Sequence, residues 1–122
     1  MPITWSIESG GRFVRMSIAD PYTIDEWRDT VTTILESPAV HSPLRLLVDR
    51  RDTQSLTKAM VEGINRFFAE HQQGLAGVRA AVLLSRGVYF EMARMLRTVV
   101  RIPNTSVRTF RDYDEAVEWL TR

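Results

Sequence analysis

Two short apolar stretches constrain the fold of this chain more than any other feature. Leu44 to Val48 is a nearly unbroken run ending at Asp49, and Ala80 to Leu84 is a second one ending at Ser85-Arg86-Gly87. Runs of strand length without polar alternation mark strands covered on both faces, the position of central strands in a parallel sheet. Parallel neighbours need long crossovers, and the segments around these runs have a helical period. The chain is therefore expected to be α/β.

The N-terminus has a different period. Ile3, Trp5 and Ile7 alternate with polar residues, Ser9-Gly10-Gly11 supplies a turn, and Val14, Met16 and Ile18 alternate with Phe13, Arg15 and Ser17. This predicts a hairpin, ended by Asp20-Pro21 because proline cannot donate to a ladder. From Thr23 the period becomes 3.6. Thr23 and Glu26 form a capping-box pattern, and Ile24, Trp27, Val31, Ile34 and Leu35 share a face until Ser37-Pro38. A second helix is expected to start near Ser55 or Thr57, to carry Met60, Ile64, Phe67 and Phe68, and to stop at Gly74. A third runs from about Val88 to Arg101, before Pro103. Ser106 to Phe110 is a last strand. Asp112 and Glu115 then open a final helix that buries Tyr113, Ala116, Val117 and Leu120. The order is β-β-α-β-α-β-α-β-α over residues 1–122, a single domain with a mixed, mostly parallel sheet.

Composition narrows the function. A formal net charge of +1 at pH 7 gives no whole-molecule field for nucleic acid or an acidic membrane surface. The chain has no cysteine, which removes disulfides, thiol nucleophiles and thiolate metal sites. Its first residues lack the basic start and apolar run of a signal peptide, and no stretch approaches the roughly 20 apolar residues of a membrane helix. A cytoplasmic protein without membrane insertion is expected.

Three segments carry a resemblance: Leu46-Leu47-Val48-Asp49-Arg50; Ala80-Ala81-Val82-Leu83-Leu84 with Tyr89-Phe90-Glu91-Met92-Ala93-Arg94-Met95; and Val107-Arg108-Thr109-Phe110-Arg111-Asp112 running into Glu115-Ala116-Val117-Glu118-Trp119-Leu120. With their order, they resemble the STAS-like (SpoIIAA-like) family of small bacterial domains over nearly the whole chain. The resemblance implies a domain distantly similar to anti-sigma-factor antagonists and to lipid-binding Sec14-type domains. Antagonists of that kind place a phosphorylatable Ser or Thr directly after the strand-end Asp; here that position is Arg50, followed by Arg51. Thr53, Ser55 and Thr57 lie close by and are the candidates for phosphorylation.

Ligands of open α/β sheets gather beyond the carboxyl ends of parallel strands. Two such segments, Asp49 to Ser55 and Ser85-Arg86-Gly87, combine arginines, hydroxyls and helix-start amides, a chemistry suited to phosphate or carboxylate. The competing reading is that Asp49 and Asp52 pair with the arginines while the hydroxyls cap helices. The third helix is apolar around much of its circumference. Its outer positions suit a homodimer contact, a ligand groove, or a core covered by neighbours. Candidate ligand-binding residues are Arg50, Arg51, Ser85, Arg86, Tyr89, Met92 and Met95.

His41 and His71 lack metal-ligand spacing, so no metal and no cofactor is expected. The nucleophile elbow, the P-loop and the dinucleotide glycine fingerprint are absent from the sequence. No catalytic residue is assigned. The leading expectation is a non-catalytic module that regulates or scaffolds through a protein partner, as a homodimer and without nucleic acid. The alternative is a carrier of an amphipathic anionic ligand, with its apolar part along Tyr89, Met92 and Met95 and its anion near the arginines.

Overall fold

The computed structural model describes residues 2–54, 56–97 and 105–122. Strands β1 (Ile3–Glu8) and β2 (Phe13–Ala19) form the expected antiparallel hairpin. They are joined by a single 3-10 turn in which Ser9, Gly10 and Gly11 have φ of 51°, 66° and 95°. Two glycines are apt there, since a Cβ disfavours that region. The register pairs Ile3 with Ile18, Trp5 with Met16 and Ile7 with Val14, so both apolar sets share one face.

Helix α1 (Ile24–Glu36) starts with both halves of the capping box. Glu26 N donates to Thr23 Oγ1 at 3.1 Å, and Thr23 N donates to Glu26 Oε1 at 2.9 Å. Next come β3 (Arg45–Asp52), α2 (Lys58–Glu70), the one-turn α3 (Gln72–Leu75), β4 (Arg79–Leu83), α4 (Tyr89–Leu96), β5 (Ser106–Phe110) and α5 (Tyr113–Thr121). The sheet order is β1-β2-β3-β4-β5, antiparallel between β1 and β2 and parallel elsewhere.

Each parallel crossover steps to the next strand in the same direction. Right-handed crossovers of that kind leave their helices on one side of the sheet. Trp27, Val31 and Ile34 of α1, Val61, Ile64 and Phe67 of α2, Leu75 of α3 and Met92 of α4 accordingly share one core with Val14, Met16, Ile18, Leu46 and Val48. Trp27 meets Phe67 edge-on at 5.2 Å between ring centroids. Helices α1 and α2 approach closely at Gly63, where a Cβ would lie 2.5 Å from Ile24 Cγ1. Among the described helices, α5 folds onto the opposite face, sealing Phe13, Leu47, Ala81, Leu83 and Phe110 with Ala116 and Leu120.

Several expected boundaries need correction. The second helix does not run to Gly74. It ends at Glu70, because His71 leaves helical geometry, stacks on Phe67 at 4.0 Å and places Nδ1 2.8 Å from the Phe67 carbonyl oxygen. The separate α3 then contains Gly74 and adds a helix to the expected order. β3 runs on through Asp52, so Arg50 and Arg51 are strand residues and not loop residues; pairing of Asp52 with Ala19 of β2 extends the ladder. α4 is defined over Tyr89–Leu96, while the expected continuation through Val99 and Val100 to Arg101 lies outside the described residues.

Candidate functional site

The chemistry concentrates at the end of β3. Strand alternation sends Leu46, Val48 and Arg50 toward α1–α4, and Leu47 and Asp49 toward the α5 side. The ladder with β2 then slips. Ser17 pairs with Asp49 but Ala19 pairs with Asp52, so β3 holds one extra residue opposite Ile18. Such a bulge re-aims the side chains beyond it. Asp52, opposite Ala19, thereby falls on the same face as Asp49.

Asp49 is the fixed point of this region, being only 8% exposed. Its carboxylate accepts from Arg51 Nε at 3.0 Å, Arg51 Nη2 at 2.8 Å, the Arg51 backbone N at 3.2 Å and Arg15 Nη2 at 2.8 Å. Burial by itself pushes its pKa up. The hydrogen bonds from the Arg51 side chain and backbone and from Arg15 outweigh it and hold the carboxyl below its ordinary value. The same contact with Asp49 raises the Arg51 pKa. The Arg15 guanidinium lies 5.4 Å from the Tyr113 ring centroid, which fixes it from the α5 side.

These groups line an open hollow of about 420 Å³ whose walls are Pro2, Thr4, Arg15, Ser17, Ile18, Ala19, Asp49, Arg51 and Asp52. It exists because α5 packs chiefly on β3, β4 and β5, leaving the β1–β2 half of that face to polar side chains. Arg15, Thr4 and Ser17 were not among the residues singled out from sequence. The usable signal was alternation, since Arg15 and Ser17 occupy the positions opposite in phase to Val14, Met16 and Ile18.

The other candidate residues are scattered. Arg50 is 3% exposed on the opposite face from Arg51; it donates through Nη2 to Tyr22 Oη and lies over that ring at 5.3 Å. Among the described residues it has no carboxylate partner, and its Nε has no acceptor. Thr53 is buried, and its hydroxyl donates to the Arg50 carbonyl at 2.8 Å. Thr57 Oγ1 caps α2 by accepting from Met60 N at 3.2 Å, and Ser55 lies outside the described residues. Ser85 is half-buried and Arg86 exposed in the turn after β4, and neither lines the hollow. Tyr89 is half-buried with its Oη 3.2 Å from Thr109 Oγ1 and with Arg111 over its ring at 4.8 Å. Met92 is fully buried and Met95 packs against the same core. A carrier would hold the apolar part of its ligand along Tyr89, Met92 and Met95 and the anion near Arg50, Arg51 or Arg86; of these residues Arg50 and Met92 are buried, and Arg51 and Arg86 are exposed. β3 splits Arg50 from Arg51, and the core claims Met92.

Among the described residues no group of three His, Asp or Glu is placed to hold a metal ion, and no helix is long and apolar enough to cross a membrane. Compared with known proteins, the chain matches no family model and no curated sequence.

Proposed function

We propose that the chain is a non-catalytic, STAS-like module that regulates or scaffolds through protein contact, and that it self-associates along the α4–β5 side of the sheet. The carrying observation is the exposure of apolar side chains there: Phe90 on α4 is 76% exposed and Val107 on β5 is 48% exposed. β5 is also the last strand in the sheet order, so one of its edges is not paired by any described strand. Arg111 spans Tyr89 and Phe90, at 4.8 and 5.9 Å from their ring centroids, and so gives the patch a polar margin. An exposed aromatic ring beside a polar rim is the arrangement of a contact residue. The clamped Asp49 supports the non-catalytic half of the reading, since a carboxylate held ionised by two arginines is poorly suited to proton transfer.

Sedimentation across a concentration series tests the proposal, with Phe90→Glu as the comparison. The native chain should dimerise and the exposed substitution should weaken the dimer by about tenfold or more. A native chain that stays monomeric at the highest concentration removes the homodimer. A regulatory role further requires a protein partner whose capture depends on Phe90 or Val107. Equal capture by the native and substituted chains counts against contact at this edge.

A further inference from the structure

The hollow on the open half of the sheet carries charges of both signs, two arginines and two aspartates. One carboxylate, Asp49, serves two guanidiniums, so the Arg15–Asp49–Arg51 trio keeps a formal charge of +1. Arg51 engages Asp49 through Nε and Nη2, and Arg15 through Nη2. Among the described residues, no hydrogen bond takes up the Nη1 group of either arginine. Their side chains are 32% and 44% exposed, so both remain accessible from the hollow. Asp52, turned to this face by the bulge, adds a second carboxylate; it makes no direct ion pair among the described residues, although its charge acts on Arg51 across the hollow. Hydroxyls of Thr4 and Ser17 stand on the neighbouring strands, and the small side chain of Ala19 leaves room beside them.

We propose that this hollow binds a small zwitterion of the α-amino-acid type, with its carboxylate across the free edges of Arg15 and Arg51 and its ammonium toward Asp52. A carboxylate placed there neutralises the trio and gains charge-assisted hydrogen bonds from two planar donors. A simple anion would meet the same arginines but also the repulsion of Asp52, and for a doubly charged phosphate both terms grow together, leaving Asp52 still unmatched. A simple cation would meet the reverse. Only a ligand carrying both charges satisfies both ends, and 420 Å³ accommodates a molecule of that size. The site is independent of the α4–β5 contact.

NMR titration of the full chain with L-alanine, acetate, methylammonium and inorganic phosphate tests this directly. L-alanine should shift the Arg15 and Arg51 Nε–Hε signals and the amides of Thr4, Ser17 and Asp52 saturably. Its Kd should be about three- to fivefold below that of acetate, the difference one exposed ion pair makes. Asp52→Asn, an exposed substitution, should erase that preference. Arg51→Gln should abolish the saturable shifts while a dispersed spectrum shows the fold intact, since Arg15 still holds Asp49. Acetate or phosphate binding as tightly as L-alanine would overturn the proposal. So would an unchanged preference in Asp52→Asn, or no saturable shift with L-alanine.

Discussion

The two faces of this sheet are made by the same five strands but are closed in different ways. On one face α1, α2, α3 and α4 cover an apolar core that extends from Ile3 of β1 to Val82 of β4. On the other, α5 closes only the β3–β5 side, and the remainder is finished by ion pairs and hydroxyls around Asp49. Closure by helices removes apolar area from water and makes an unpaired charge costly, whereas closure by a salt-bridged trio stays open and leaves donors free. The end of β3 places one arginine under each regime. Arg51 shares the solvated trio, while its neighbour Arg50 is buried against Tyr22 on the helical face, with no carboxylate partner among the described residues.

The largest effect is expected on the helical face. Phe67 is fully buried and packs on Trp27 and His71, so Phe67→Ala should cost about 3–5 kcal/mol in chemical denaturation. A loss below about 1 kcal/mol would mean that α2 does not close this core.

On the polar face, Asp49→Asn should cost about 1–3 kcal/mol near neutral pH by weakening the charge-assisted bonds to Arg15 and Arg51. Its pH dependence has a definite sign. The folded-state pKa of Asp49 is lowered from the ordinary 3.8, so its stabilising effect is present above that value and disappears as pH falls through the depressed one. Paired acid denaturation series of native and Asp49→Asn chains should therefore run apart above about pH 5 and converge below the ordinary carboxylate range. Parallel curves throughout would remove the trio as a source of stability.

The smallest effect is expected at Arg50, on the helical face at the end of β3. With one side-chain hydrogen bond and one π contact among the described residues, this buried cation offsets little of its desolvation. Arg50→Met should consequently change stability by no more than about 1 kcal/mol, or raise it. A loss of about 2 kcal/mol or more, read from the same denaturation midpoints, would show that Arg50 is held by stronger contacts than its single bond to Tyr22.

Local patterns carried much of the fold. The alternation of Ile3, Trp5 and Ile7 with Val14, Met16 and Ile18 located the hairpin, and the Thr23–Glu26 box located the start of α1. The two apolar runs located the central strands, because burial on both faces leaves no polar position to disguise. The break at His71 was less legible, since a histidine stacking on the preceding turn has no distinctive composition. The site was harder still. Arg50 and Arg51 looked like one cationic loop, yet they belong to a strand whose pleat sends them to opposite faces.

The strands, the longer helices and their order were readable from local residues, because period, caps and turn residues act over a few positions and need no distant partner; the short α3 was not. Only the tertiary structure decided that β3 continues past Asp49, that a bulge against β2 turns Asp52 to the Arg51 side, and that Arg15 arrives from another strand to share Asp49. It also decided that α5 packs chiefly on β3, β4 and β5 and leaves that hollow open. These outcomes depend on register and on which surface a helix reaches, both set by pairing energies summed over residues far apart in the chain.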